Sequence, residues 1–298
     1  MSEELLRVTP TPMGGEIELC YEALGDSGDP TVVLVMGLGL DLCWWRDAFC
    51  AELVARGFRV VRYDHRDVGR STHLRGPGVS GVQLLRRRAR ATYTLGEMAE
   101  DAAGLVAHVA PQGAHVVGAS MGSLVAQELA IRHPDRVLSL VSIMGRPGDG
   151  RTGRMARTKL VEFLRPATGD PVEGLVRSFR RIGSHGRTLE DDEDVRIAAR
   201  RAIARERGDA SGSGRQLAAI LDERDRTADL ARLTMPVTVV HGTRDRVILP
   251  SGGRATAAAV AGAELVELEG MGHDLPRWTW PAVIDAIARG AARAPPPG

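Results

Sequence analysis

A chain of 298 residues, 43% hydrophobic and 26% charged, has the composition of an ordinary globular protein and room for one large α/β domain with an insertion or for two small domains. Its net charge of +1 provides no global field for nucleic acid or an anionic membrane, so neither is expected as a partner. Cys20, Cys43 and Cys50 form no C-x-x-C pair and no zinc spacing, no secretory signal is visible, and no run approaches the ~20 apolar residues of a membrane helix, so a soluble cytoplasmic protein with reduced thiols is expected.

Strand and helix signals then alternate. Residues 16–21 alternate polar and apolar like a half-exposed antiparallel edge strand, and 31–36 form a continuous apolar run ending at Gly37, the mark of a buried central strand. A helix is predicted over 44–55, closed by Gly57, with a strand over 58–63. The basic run Arg86-Arg87-Arg88-Ala89-Arg90 reads as a solvated loop or helix face. Thr94-Leu95-Gly96-Glu97 has the capping-box pattern before a helix to about Val109. Strand 114–118, helix 123–133 and strand 137–144 follow. Between Arg146 and Leu233 the alternation fails, and helical patterns appear at 157–165, 172–182, 191–207 and 214–224. It returns with strand 237–241, helix 250–261, strand 264–268 and helix 281–290, before a tail over 293–298 that reads as disordered. The expected architecture is a mostly parallel sheet with helices on both faces, its core made of 1–145 and 234–292, interrupted by a helical cap over 146–233.

One pentapeptide carries the chemistry. Gly118-Ala119-Ser120-Met121-Gly122 is a G-x-S-x-G that follows a short strand and opens a helix. In a chain with 35 glycines the pattern alone is weak, but here the context is right: a strand turning abruptly into a helix exposes its apex serine, and flanking glycines let the backbones pass. A nucleophilic serine needs a base, and the base needs an acid to orient it. The chain order expected after such an elbow is Ser, then Asp or Glu, then His. Asp245, on the turn leaving strand 237–241, and His273, on the loop after strand 264–268, fit that order and sit at strand carboxyl ends. The alternatives are weaker: His241 would point along a strand, Asp274 would face away from His273, and Asp149 would serve only in a variant layout.

An oxyanion hole needs two backbone N–H groups aimed at one point, here assigned to Met121, after the nucleophile, and to Leu38, in the sharp turn after strand 31–36. Gly37-Leu38-Gly39 is not a dinucleotide fingerprint, because Leu42 replaces the third glycine and no helix opens at once. Asp64-His65-Arg66-Asp67 holds two carboxylates and a histidine, but no helical or hairpin spacing directs them at one point, so no metal is expected. Trp44, Trp45, Trp278 and Trp280 flank the loops of Leu38 and His273, and one or two of them could line a pocket. In the cap, Phe163, Leu164, Val176 and Phe179 could form an apolar inner face. Gly37, Trp44, Phe163 and Phe179 are the candidate substrate contacts.

Four segments carry a resemblance: Leu34-Val35-Met36-Gly37, Arg62 to Ser71, Val116 to Gly122, and Gly270-Met271-Gly272-His273. Through them, over roughly 15–290, the chain resembles α/β-hydrolases, in particular the aclacinomycin methylesterase type of actinobacterial esterase. The resemblance implies an eight-stranded, mostly parallel sheet with the cap inserted after the sixth strand. It implies a triad of Ser120, Asp245 and His273, no cofactor, and hydrolysis of a small-molecule carboxylic ester, with a methyl or short-alkyl alcohol and a bulky apolar acid. It also implies that Asp and Arg of the 64–70 turn are structural. Met36 departs from the histidine usual at that place, which bears on the rigidity of the oxyanion loop. A lactonase, a C–C bond hydrolase, an acyltransferase or cyclase, and a haloperoxidase-like enzyme could use the same triad, and a non-catalytic ligand-binding protein could use the same fold.

Overall fold

The apolar runs of the sequence become the middle of one sheet. In the computed structural model, which describes residues 2–10, 16–86, 89–156, 169–208 and 211–294, eight strands are placed. They are β1 (Glu4–Pro10), β2 (Glu16–Leu24), β3 (Thr31–Val35), β4 (Arg59–Tyr63), β5 (Ala114–Ala119), β6 (Val137–Ile143), β7 (Val237–Gly242) and β8 (Glu264–Leu268). Their spatial order is β1-β2-β4-β3-β5-β6-β7-β8. β1 and β2 pair antiparallel, as do β2 and β4, and every other neighbour pair is parallel. Every residue of β3, β5 and β7 is buried, as parallel strands covered on both faces must be. The order reverses at β3, whose neighbours are β4 and β5, so the crevice beyond the carboxyl ends of β3 and β5 is the switch point where ligands bind in such sheets.

Helices cover both faces. α1 (Asp47–Ala55) lies on one side and α3 (Leu95–Val109) and α4 (Met121–Arg132) on the other, with the short α2 (Gly81–Arg86) between α1 and α3 in the chain. The expected capping box is present: the Thr94 side chain accepts from Glu97 N, and the Glu97 carboxylate accepts from Thr94 N. Between β6 and β7 come α5 (Pro171–Ile182), α6 (Leu189–Arg205), α7 (Ser211–Leu221) and α8 (Thr227–Leu230); after β7 come α9 (Ser251–Ala259) and α10 (Trp280–Arg293). The helical pattern at 157–165, with Phe163 and Leu164, lies outside the described residues. α8 packs on α4 and α9, so the end of this insertion joins the core. No helix among the described residues is long and apolar enough to cross a membrane.

Three readings need correction. β1 carried no recognised signal, because an edge strand with Leu5 half-exposed lacks the apolar run that burial on two faces imposes. The helix expected from residue 44 starts at Asp47, since Leu42–Trp44 forms a separate 3₁₀ turn capped by Asp41. At the other end α10 runs through Arg293, a residue read as tail.

The insertion is tied to the core by buried charge. Arg205 of α6 pairs with Glu3, Asp41 and Asp64, and Arg215 of α7 pairs with Asp67 at 2.7 Å. Two buried histidines sit within the core, His115 on Ser139 Oγ at 2.9 Å and His65 on the Met36 carbonyl at 3.0 Å. Burial pulls both down to about 4. The unfolded chain binds these protons near the ordinary histidine value and the native chain only near 4, so their stabilising effect is complete above that ordinary value and is lost as pH falls towards 4. Asp41, pushed up to about 6 by burial and the nearby Asp64 charge, works in the opposite direction over the same window. His115→Asn should therefore change the slope of unfolding free energy against pH by up to about 1.4 kcal/mol per pH unit between roughly pH 4.5 and 6, measured by chemical denaturation. An unchanged slope would mean that native His115 already carries the proton.

Candidate active site

The turn from β5 to α4 forces Ser120 to φ 55° and ψ −122°, a backbone state that non-glycine residues rarely adopt. The surroundings hold it there. Ser120 N donates to Ile143 O at 3.0 Å, while Ser123 N and Ser123 Oγ donate to Ser120 O at 2.9 and 2.7 Å. A Cβ on Gly122 would overlap the Val35 carbonyl, and one on Gly118 the Gly122 carbonyl, so the elbow closes only with glycine at both places.

Ser120 Oγ lies 2.8 Å from His273 Nε2, and His273 Nδ1 lies 2.7 Å from Asp245 Oδ2. With Nδ1–H donating to Asp245, Nε2 is left to accept the serine proton. Asp245 is 1% exposed, and its Oδ1 accepts from Val247 N and Ile248 N at 2.8 and 3.0 Å. Burial alone would raise its pKa, but the His273 charge, the nearness of His241 and the hydrogen bond from His273 outweigh that and hold it at about 2. Asp245 is thus an anion facing an imidazole that gains charge when it takes a proton. The competing residues go elsewhere. His241 is fully buried, and its Nε2 donates to Ile248 O at 2.9 Å while lying 3.5 Å from Asp245. Asp149 accepts from Arg151 N, Thr152 N and Thr152 Oγ1 within its own loop.

The loop of His273 is held by the insertion, which no local pattern announces. His273 N donates to Ile182 O at 2.8 Å, and Gly272 N donates to Ser184 Oγ at 2.9 Å. Asp274 faces away from the His273–Asp245 contact, accepting from Ser184 N at 2.8 Å and pairing with Arg187.

Both oxyanion candidates lie next to the Ser120 elbow. Met121 N is the first amide of α4, one of the donors that helix geometry leaves without an intrahelical acceptor. Leu38 lies on the loop after β3, and a Cβ on neighbouring Gly37 would sit 3.3 Å from Ser120 Cβ and 3.8 Å from its Oγ. That loop has two braces. His65 Nε2 donates to the Met36 carbonyl, so a histidine from the loop after β4 steadies the segment where Met36 stands. Gly39 N donates to Gln216 Oε1 at 2.8 Å, and Gln216 Nε2 in turn donates to Arg66 O at 2.9 Å. The 64–67 cluster is spent on such bracing: Asp64 accepts from Leu42 N, Arg70 N and Arg205, and Asp67 takes Arg215 and Leu74 N.

Ser120 and His273 open on a cavity of about 510 Å³. Trp44 and Phe179 stack with ring centroids 5.0 Å apart along its wall, and Trp45, Phe49 and Trp280 extend the aromatic lining. Trp278 is 41% exposed and donates to His185 O, away from the cavity. Phe163 lies outside the described residues. Arg46, Ser184 and Gln216 were not singled out from the sequence; the last two act through partners 88 and 177 positions away, beyond any periodic signal.

A family model described as the alpha/beta hydrolase fold matches residues 30–276. Rhodomycin D methylesterase DnrP of Streptomyces peucetius is 31% identical over 294 residues, covering 90% of this chain and 93% of the relative. Rhodomycin D methylesterase DauP of Streptomyces sp. (strain C5) is 30% identical, covering 88% and 90%. Among solved structures, the enol-lactonase from Burkholderia xenovorans LB400 aligns with a TM-score of 0.71 at 26% identity, covering 93% of this chain and 97% of that one.

A serine-directed fluorophosphonate should label the protein at Ser120. Mass spectrometry of the labelled peptide checks this, and labelling that persists in Ser120→Ala would place the reactive serine elsewhere.

Proposed function

This chain belongs to the α/β-hydrolase fold family, and on that premise we propose that Ser120, His273 and Asp245 are the nucleophile, base and orienting acid of its ester hydrolysis. The chain is a carboxylic ester hydrolase. The observation that carries the residue assignment is the unbroken Asp245–His273–Ser120 hydrogen-bond relay at the floor of the aromatic cavity. Ser120 Oγ attacks the ester carbonyl as His273 Nε2 takes its proton. The Leu38 and Met121 amides face the oxyanion of the tetrahedral intermediate. Collapse of the intermediate breaks the bond to the alkoxy oxygen, which leaves as the alcohol with the proton from His273. A water then gives its proton to His273 and attacks the acyl-enzyme, and the acid departs as Ser120 regains its hydrogen. Every step is balanced by these residues and water, so the reading calls for no cofactor.

The proposed substrate is a methyl or short-alkyl ester of a bulky apolar acid. Two lines of support favour it: the relatives DnrP and DauP are named as methylesterases of rhodomycin D, and the cavity offers stacked aromatic surface to a large acyl part. Burying about 200 Å² of ring surface contributes on the order of 5 kcal/mol before ordering costs. Residues 146–233 are proposed as the cap that selects this acyl part, since α5 supplies Phe179 and Leu175 to the wall. A lactone substrate is the second reading, favoured by the likeness to the enol-lactonase. The free, buried state of Cys20, Cys43 and Cys50 supports a reducing, cytoplasmic setting.

Asp245→Asn should keep the fold and lower kcat by about 10⁴-fold, because the amide orients the wrong imidazole tautomer. Steady-state kinetics beside a thermal melt checks both halves, and activity near wild type would remove Asp245 from its role. Phe179→Ala should raise KM several-fold for the methyl ester of a polycyclic acid and leave KM for methyl acetate nearly unchanged. Equal effects on the two esters would show that Phe179 does not select the acyl group, and faster turnover of lactones than of any methyl ester would favour the second reading.

A further inference from the structure

Buried arginines in this protein are answered by carboxylates. Arg62 meets Glu22 at 2.6 Å, Arg66 meets Asp101 at 2.6 Å, Arg205 meets Asp64 at 2.8 Å and Arg215 meets Asp67 at 2.7 Å. Arg46 is different. It lies between Trp45 and α1, lines the cavity that holds Ser120, and has no ion pair among the described residues. Its Nη1 donates to the Trp44 carbonyl at 3.3 Å, and its guanidinium lies 5.0 Å from the centroid of the Trp44 ring. That same indole stacks on Phe179, so the cation adjoins the aromatic wall.

The acids around it are committed to other groups. Asp274, the one carboxylate lining the cavity among the described residues, is taken by Ser184 and Arg187. Asp194 binds Arg277 through both oxygens at 2.7 and 2.9 Å, and Asp191 accepts from Arg277 N and Thr188 N. Arg177 and Arg181 of α5 line the cavity too, each engaged with partners of its own. Burial pulls the Arg46 pKa down to about 10, which leaves it charged at neutral pH and short of full compensation. A guanidinium in a largely apolar cavity without a protein counter-ion is a receiver for an anion brought by the ligand.

We propose that Arg46 binds an anionic oxygen on the acyl part of the substrate, so that the cavity takes esters of aromatic acids bearing a second acidic group, a carboxylate or an ionised phenol. The proposal rests on the ester-hydrolase reading for turnover, but not for binding. The test therefore begins with Ser120→Ala, which cannot turn over a serine-dependent substrate. Tryptophan fluorescence would measure its affinity for methyl naphthoate, for the monomethyl ester of naphthalenedicarboxylic acid, and for methyl hydroxynaphthoate above and below the phenol pKa. At least one anionic probe should bind about tenfold more tightly than the neutral ester, and the arm that does so identifies carboxylate or phenolate. Adding Arg46→Gln should bring that ratio to within twofold, while Arg46→Lys, which keeps the charge and guards against a folding effect, should retain part of it. In the active enzyme Arg46→Gln should raise KM for the anionic ester about tenfold more than for the neutral one. Equal affinity for neutral and anionic probes, including none for either, overturns the proposal, as does an equal loss for both in Arg46→Gln. A binding preference that depends on Arg46, with no ester turned over by the wild type, would uphold the anion site and overturn the ester reading.

Discussion

The reversal of the backbone at Ser120 sets the place of everything else in the site. A φ of 55° at a serine costs on the order of 1–3 kcal/mol and persists only where surrounding structure over-determines it. Here β5 supplies that determination, paired with β3 on one side and β6 on the other, while glycines at 118 and 122 let α4 press against the sheet. Relaxing the turn would require strands in the centre of the sheet to move. One local constraint therefore sets the hydroxyl at the start of α4 and places it beside the loop that leaves β3.

His273 and Asp245 depend on a different kind of support. Asp245 is held by amides of its own turn, a local matter. His273 is held by the insertion, through Ile182, Ser184 and the pairing of Asp274 with Arg187. The loop after β3 likewise reaches into the insertion through Gln216. Cavity lining and the geometry of the Ser120–His273 contact are therefore mechanically linked, because the helical insertion that supplies wall residues also holds these two loops.

Charge organises the seam between insertion and core. Burying ion pairs contributes little net stability when they are complete, but removing one partner strands the other at a cost of about 3–5 kcal/mol. Arg205, which gathers Glu3, Asp41 and Asp64 from three separate parts of the chain, is such a fixed point. Against that pattern of matched charge, a half-buried guanidinium beside the cavity that has no ion pair among the described residues is informative, because the protein supplies a counter-ion at the buried arginines compared with it.

Much of this was legible in the order of residues, for physical reasons that can be named. β3, β5, β6 and β7 appear as apolar runs because parallel strands buried on both faces admit few polar side chains. Ser120, Asp245 and His273 stand out because each follows its own strand, so strand pattern and reactive side chain fall within a few residues of one another. β1 escaped notice because an edge strand is under no such pressure. The brace of His65 on Met36, the hold of Ser184 on the His273 loop and the convergence of acids on Arg205 were beyond reach, since each joins residues dozens of positions apart. By itself the sequence determined the fold class and pointed to the three side chains that the structure brings within hydrogen-bond distance, because backbone periodicity and strand ends are local properties. Only the tertiary structure decided how those side chains are held and that Arg46 lines the cavity without a counter-ion among the described residues, because contacts between distant segments leave no periodic trace in the chain.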